Sequence, residues 1–139
     1  RMSDIHAALG RVQLTRLSEW TEKRRQNARF LSTRIEGLKV PIEETGCEHV
    51  YHQYTIRVEE DRDGFAKALR DEYGVGCGVY YPTPNHKLSS LNRFSDGLSL
   101  PNTDTAAKEV LSLPVHPSLT KRELSKIVSA VNRLARAGG

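Results

Sequence analysis

Apolar residues recur at helical spacing from Ile5 onward: Ile5, Leu9, Val12, Leu17, Trp20, Ala28, Leu31, Ile35 and Leu38, with Arg, Lys, Glu and Gln filling the other positions. The pattern predicts one long helix over 3–38. Ser3 is its expected N-cap, Asp4 places a negative charge where the helix dipole favours it, and Pro41 follows the last periodic residue. Such a helix would run roughly 50 Å at about 1.5 Å per residue, longer than a domain of this size is wide, so it has to cover two things. Its first half, Asp4 to Val12, is small and nearly neutral (Ala7, Ala8, Gly10), as expected where another surface approaches a backbone closely. Its second half, Glu19 to Arg34, is charged outside its apolar stripe, as expected of a helix with one face on a local core. The first half is expected to reach a surface outside this chain. With Arg1 and Met2 leading straight into a helix cap, the chain reads as a piece of a larger protein.

Beyond a loop over 39–49, Val50, His52, Tyr54, Ile56 and Val58 alternate with Tyr51, Gln53, Thr55 and Arg57, which predicts a strand. Asp61 or Asp63 caps a helix carrying Phe65, Ala68, Leu69 and Tyr73, and Gly74 suits a left-handed C-terminal residue. A second strand is expected over 75–81, where Gly76 and Gly78 leave one face bare; it runs into the stiff loop Pro82-Thr83-Pro84-Asn85-His86. Residues 87–102 read as irregular, anchored by Leu88, Leu91, Phe94 and Leu100, and serve either as a loop over a site or as a plain connector. Thr103 and Asp104 start a short helix through Val110. Leu111, Leu113 and Val115 then form a third strand that Pro114 and Pro117 keep short or at an edge. The last helix opens on a capping box, Thr120 to Glu123, and carries Leu124, Ile127, Val128, Val131 and Leu134 on one stripe. The expected class is α/β, in its α+β form: a long N-terminal helix and a small, largely antiparallel three-stranded sheet covered by helices. Residues 1–38 form the linking helix and 39–139 the small domain.

Composition narrows the function. At 139 residues the chain buries a core without staples. No apolar run approaches the roughly 20 residues that span a bilayer and no signal peptide is evident, so the cytoplasm is the default expectation. Cys47 and Cys77 have no CxxC partner and read as reduced thiols; no histidine or cysteine pair has metal-ligand spacing, and no metal is expected. A net charge of +4 and a pI near 9.2 raise the question of nucleic acid. The basic residues are interleaved with acids, however, and the densest cluster, Lys23, Arg24, Arg25 and Arg29, reads as a solvated helix face. The last helix lacks the preceding short helix and turn of a helix-turn-helix, and a positive surface also suits an anionic small molecule.

The order of short motifs carries more. Arg1-Met2-Ser3-Asp4-Ile5-His6-Ala7-Ala8-Leu9-Gly10-Arg11-Val12-Gln13-Leu14 resembles the N-x-R-M-(S/T)-(D/E)-x-x-A-A-x-G-x-x-Q-L segment of the DegT/DnrJ/StrS family of nucleotide-sugar aminotransferases. Arg25-Gln26-Asn27-Ala28, His49-Val50-Tyr51-His52-Gln53-Tyr54, Tyr80-Tyr81-Pro82-Thr83-Pro84-Asn85-His86, Leu100-Pro101-Asn102-Thr103 and Leu111-Ser112-Leu113-Pro114-Val115-His116-Pro117 continue the match in order. The resemblance implies the C-terminal small domain of a fold type I enzyme that uses pyridoxal 5'-phosphate (PLP). Such enzymes transfer an amino group from glutamate or glutamine to a keto group on a nucleotide-linked sugar, and work as homodimers with sites at the subunit interface. It places the PLP lysine, the acid facing the pyridine nitrogen and the ring-stacking aromatic upstream of Arg1, so this chain alone is expected to be inactive and without bound PLP.

The same resemblance singles out Arg1 for a phosphate or carboxylate, and Tyr81 and His86 for the nucleotide-sugar, where a phenol and an imidazole hydrogen-bond a pyrophosphate or a hydroxyl. Two of them have a plain alternative: a helix-start arginine for Arg1, core packing at a strand end for Tyr81. His52, on the face that reads as buried, favours a core histidine over a ligand contact, and His6 reads as interface packing. Lys87 lies in an open polar loop with nothing to depress its pKa and is a poor Schiff-base lysine. A reading of another class stays open: a non-enzymatic module that dimerises or docks a partner through Ile5, Ala8, Leu9 and Val12.

Overall fold

The computed structural model describes residues 2–138. Helix α1 (Asp4–Ser32) has the predicted N-cap: the Ser3 side chain accepts from the His6 N–H, and Asp4 stands in the first turn. The helix ends six residues before Leu38. The Thr33 hydroxyl turns back onto the Arg29 carbonyl at 2.8 Å, and the chain leaves through Gly37 at φ 75°. What holds this exit is remote in sequence: Asn132 donates to the Arg34 carbonyl at 2.8 Å and accepts from the Glu36 N–H at 3.0 Å. Burial divides α1 in two. Asn27, Ala28 and Leu31 are buried, whereas Ile5, Leu9, Val12, Leu14 and Leu17 are all more than half exposed.

Strand β1 is Tyr54–Arg57, shorter than the alternation suggests. Tyr51 takes φ 45° and its N–H donates to His49 Nδ1 at 2.8 Å, which buries the Tyr51 ring and leaves Val50 and His52 exposed. The expectation of a core His52 therefore fails: period-two alternation holds only while the backbone stays extended. Asp61 caps α2 (Arg62–Asp71), accepting from the Gly64 N–H, and Gly74 at φ 57° ends that turn. A four-residue helix, α3 (Asn92–Ser95), and two 3-10 turns, Asn85–Lys87 and Ser89–Leu91, occupy the segment read as irregular. Phe94 and Leu100, expected there as anchors, are exposed. Helix α4 (Pro101–Glu109) starts two residues earlier than predicted because Pro101 is preset for its first turn. It runs directly into β2 (Val110–Leu113), and α5 (Lys121–Ala137) opens on the predicted capping box with both reciprocal bonds made.

The sheet has two strands, not three. β1 and β2 pair antiparallel, Tyr54 with Leu113 through Arg57 with Val110. The expected strand over 75–81 reduces to one bridge, in which Gly78 and Ser112 exchange both bonds at 3.0 and 2.8 Å. The two neighbouring pairs in that register are unavailable. Pro114, opposite Gly76, has no N–H to give. Val110, opposite Tyr80, spends its N–H on the Ala106 carbonyl at the end of α4 and its carbonyl on Arg62 Nη1 at 2.9 Å. On the far edge Lys39 bridges Arg57, and Pro41 stops that pairing in the same way.

The core lies between this small sheet and the helices. Tyr54, Ile56 and Val58 from β1 and its continuation, with Leu111, Leu113 and Val115, meet Ala28 and Leu31 of α1, Ala66 and Leu69 of α2, and Leu124, Ile127 and Val131 of α5. At roughly 1.5–3 kcal/mol for each large side chain fully withdrawn from water, this cluster carries the fold. No helix among the described residues is long and apolar enough to cross a membrane. The basic stretch of α1 is largely neutralised: Lys23 pairs with Glu19 at 2.6 Å, Arg25 with Glu48 at 2.9 Å and Arg29 with Glu22 at 2.9 Å.

Candidate functional site

The loop after Gly78 builds a cavity of ≈ 480 Å³ lined by Tyr80, Tyr81, His86, Leu100, Thr103 and Ala107, among others. Two of the three site residues predicted from sequence meet here. Tyr81 is largely exposed at the rim, so it is not the core residue of the alternative reading, while the His86 side chain is 8 % exposed. Arg1, the third, lies outside the described residues. The ring of Tyr80 folds back over Gly78. A Cβ at that position would lie 2.7 Å from Tyr80 Oη, which gives the glycine a local reason. Tyr80 thereby walls this cavity from a second cleft of ≈ 470 Å³ lined by Arg24, His52, Gln53 and His116. The backbone of His116 is tied to α1 by Asn27, whose amide donates to its carbonyl at 2.9 Å.

Sequence reasoning missed the residue on the other side of His86. Asp104, in the first turn of α4, brings Oδ1 to 3.2 Å from His86 Nε2 and Oδ2 to 2.8 Å from Lys87 Nζ. The hydrogen bond from Lys87 foremost, and the charges of Lys87, His86 and Lys108 with it, hold the Asp104 carboxyl below the usual carboxylate range. The only trace in the sequence is an acid early in a helix, which the dipole explains equally well. The same contact shows that Lys87, expected in an open polar loop, is half exposed and paired.

The comparisons with known proteins match this arrangement over nearly the whole chain. Residues 1–132 fit the DegT/DnrJ/EryC1/StrS aminotransferase family. The chain belongs to that family. A "Pleiotropic regulatory protein" of Geobacillus stearothermophilus is 37% identical over 144 aligned positions, covering 98% of this chain and 38% of the relative. The dTDP-3-amino-3,4,6-trideoxy-alpha-D-glucose transaminase of Micromonospora megalomicea subsp. nigra is 32% identical, covering 96% of this chain and 37% of the relative. Among solved structures, S. venezuelae DesV in complex with a ketimine intermediate superposes with a TM-score of 0.88 at 30% identity, over 97% of this chain and 37% of DesV. The chain thus spans little more than a third of the length of these relatives.

Aminotransferases of this family use PLP. Among the described residues no lysine is placed to bind it as an imine. An imine-forming lysine needs a dry pocket that favours its neutral form, and all seven lysines of this chain are exposed. Among the described residues no group of three His, Cys, Asp or Glu side chains is placed to bind a metal ion, and Cys47 and Cys77 are free thiols.

Proposed function

We propose that this chain is the C-terminal small domain of a PLP-dependent aminotransferase that moves an amino group from glutamate or glutamine to the keto carbon of a nucleotide-linked sugar. The observation that carries the proposal is the family match over residues 1–132 together with a cavity that gathers Tyr81 and His86 at its wall. In this reading the cofactor lysine belongs to a preceding large domain. The chain contributes Arg1, Tyr81 and His86 to binding of the substrate and of the cofactor phosphate, and by itself is inactive. Residues 1–38 link the two domains, residues 39–139 form the small one, and the exposed first half of α1 packs on the large domain or across a homodimer. The cytoplasm is the expected compartment.

Two experiments test this. In the protein extended upstream of Arg1 and supplied with PLP, borohydride should trap an imine onto a lysine; no labelled lysine would sink the aminotransferase reading. In that enzyme His86→Ala should raise KM for the keto-sugar nucleotide about tenfold, the worth of one hydrogen bond to a charged or strongly polar group, with little change for the amino donor. Equal effects on both substrates, or none, remove His86 from the site.

A second reading has its own support. Ile5, Leu9 and Val12 are 74, 60 and 56% exposed on one helix face, and one relative is named as a regulatory protein. A non-enzymatic module that dimerises through this face would give the 139-residue chain a concentration-dependent mass in solution. A strict monomer at high concentration excludes it.

A further inference from the structure

Asp104 stands behind His86 as seen from the cavity. His86 lines that cavity and Asp104 does not, although both side chains are largely withdrawn from water. His86 Nε2 and Asp104 Oδ1 are each buried and 3.2 Å apart, and neither atom has a well-aligned hydrogen bond among the described residues. Buried polar atoms are rarely left alone, because each then bears its full desolvation cost. Here each is the nearest remedy for the other. If the two pair, a carboxylate oxygen only accepts, so the proton must sit on Nε2. Lys87 donates to the other oxygen, which lowers the carboxyl further and leaves Oδ1 to face the ring.

We propose that Asp104 is a positioning residue for His86: it holds the ring by Nε2–H and leaves Nδ1 as the nitrogen that accepts a hydrogen bond from a ligand hydroxyl in the cavity. While the imidazole is neutral, Nδ1 held this way offers a lone pair and receives a sugar hydroxyl. The step from pairing to substrate rests on the proposed site; the pairing itself does not.

The pairing is read directly by nitrogen NMR of histidine-labelled 139-residue chain at about pH 8.5, where an ordinary imidazole is neutral. His86 should show the Nε2–H tautomer alone, Asp104→Ala should show both tautomers, and Lys87→Met should leave the native pattern. An Nδ1–H tautomer in the native chain overturns the proposal, whether or not Asp104→Ala folds; so does a tautomer that Asp104→Ala leaves unchanged. In the extended enzyme, Asp104→Ala should raise KM for the keto-sugar by less than His86→Ala does, since part of the ring population keeps the accepting tautomer; the double variant should be no worse than His86→Ala, and Asp104→Glu should recover part of the loss. Additive losses in the double variant overturn the coupling. If the tautomer behaves as stated while His86→Ala leaves both KM values untouched, Asp104 still positions His86 and it is the substrate reading that falls.

Discussion

Replacing Arg62 by methionine should destabilise this domain by about 2–4 kcal/mol, and the figure follows from what its guanidinium holds. The side chain is 9 % exposed. Nη1 donates to the carbonyls of Ala107 at 3.2 Å and Val110 at 2.9 Å, and Nε donates to Asp63 at 2.7 Å. Methionine keeps the apolar stem, so little packing is lost, and Asp63, 83 % exposed, is simply rehydrated. The two carbonyls are the cost: each loses its charged donor where water has poor access, at about 1–3 kcal/mol apiece. Release of a buried charge from its desolvation offsets part of the sum. Urea unfolding at constant m-value measures the loss, which corresponds to roughly 6–15 °C in Tm for a chain of this size. Arg62→Lys should recover only about half, because an ammonium lacks the fork that serves two carbonyls while facing Asp63. Amide exchange at Gly78 and Ser112 should quicken in both variants, because Val110 sits at the end of their bridge. A loss below about 0.5 kcal/mol for methionine would refute the argument, since both carbonyls would then have found other donors.

Two other expectations concern titration. The Thr120 N–H and hydroxyl both donate to Glu123 and hold its carboxyl below the usual range, so the cap's contribution is present above the ordinary glutamate pKa and is lost as pH falls through the depressed value. Wild type should be more stable than Glu123→Gln at neutral pH by an increment that vanishes on acidification, read as Tm against pH; a pH-independent increment contradicts the linkage. Tyr54 is fully buried, and burial pushes its phenol up to about 12 against the opposing hydrogen bond with Ser32 Oγ at 2.9 Å. Folding is then favoured by on the order of 2–3 kcal/mol below pH about 10, the unfolded value, a contribution that drains away as pH rises towards the folded one. Phenolate absorbance should show one tyrosine of the five ionising last and together with unfolding; Tyr54→Phe should abolish that phase.

How much was legible from the chain depends on the range of the interactions. Ser3, Asp61, Gly74 and the Thr120–Glu123 box do their work within a few residues of themselves, and their places could be read directly. So could the stripe on α5 and the apolar alternation from Tyr54 to Val58, which need only one buried face. The six motif segments in order identified the family, since their identities persist whatever each does in space.

Contacts far apart in sequence decided the rest. The exit of helix α1 after Ser32 is held by Asn132, about a hundred residues on, which donates to the Arg34 carbonyl. The strand expected over 75–81 shrinks to one bridge because Arg62 and the last turn of α4 have already claimed both polar groups of Val110. His52 turns out to water because Tyr51 leaves the extended region, where periodicity has no say. His86 acquires Asp104 because the cavity loop folds against α4, a pairing of an imidazole and an acid that no local pattern marks. Propensity and capping act through the nearest turn of backbone and are written in residue order; the supply of donors and acceptors in a folded chain is shared among distant claimants, and only the tertiary structure settles which of them is served.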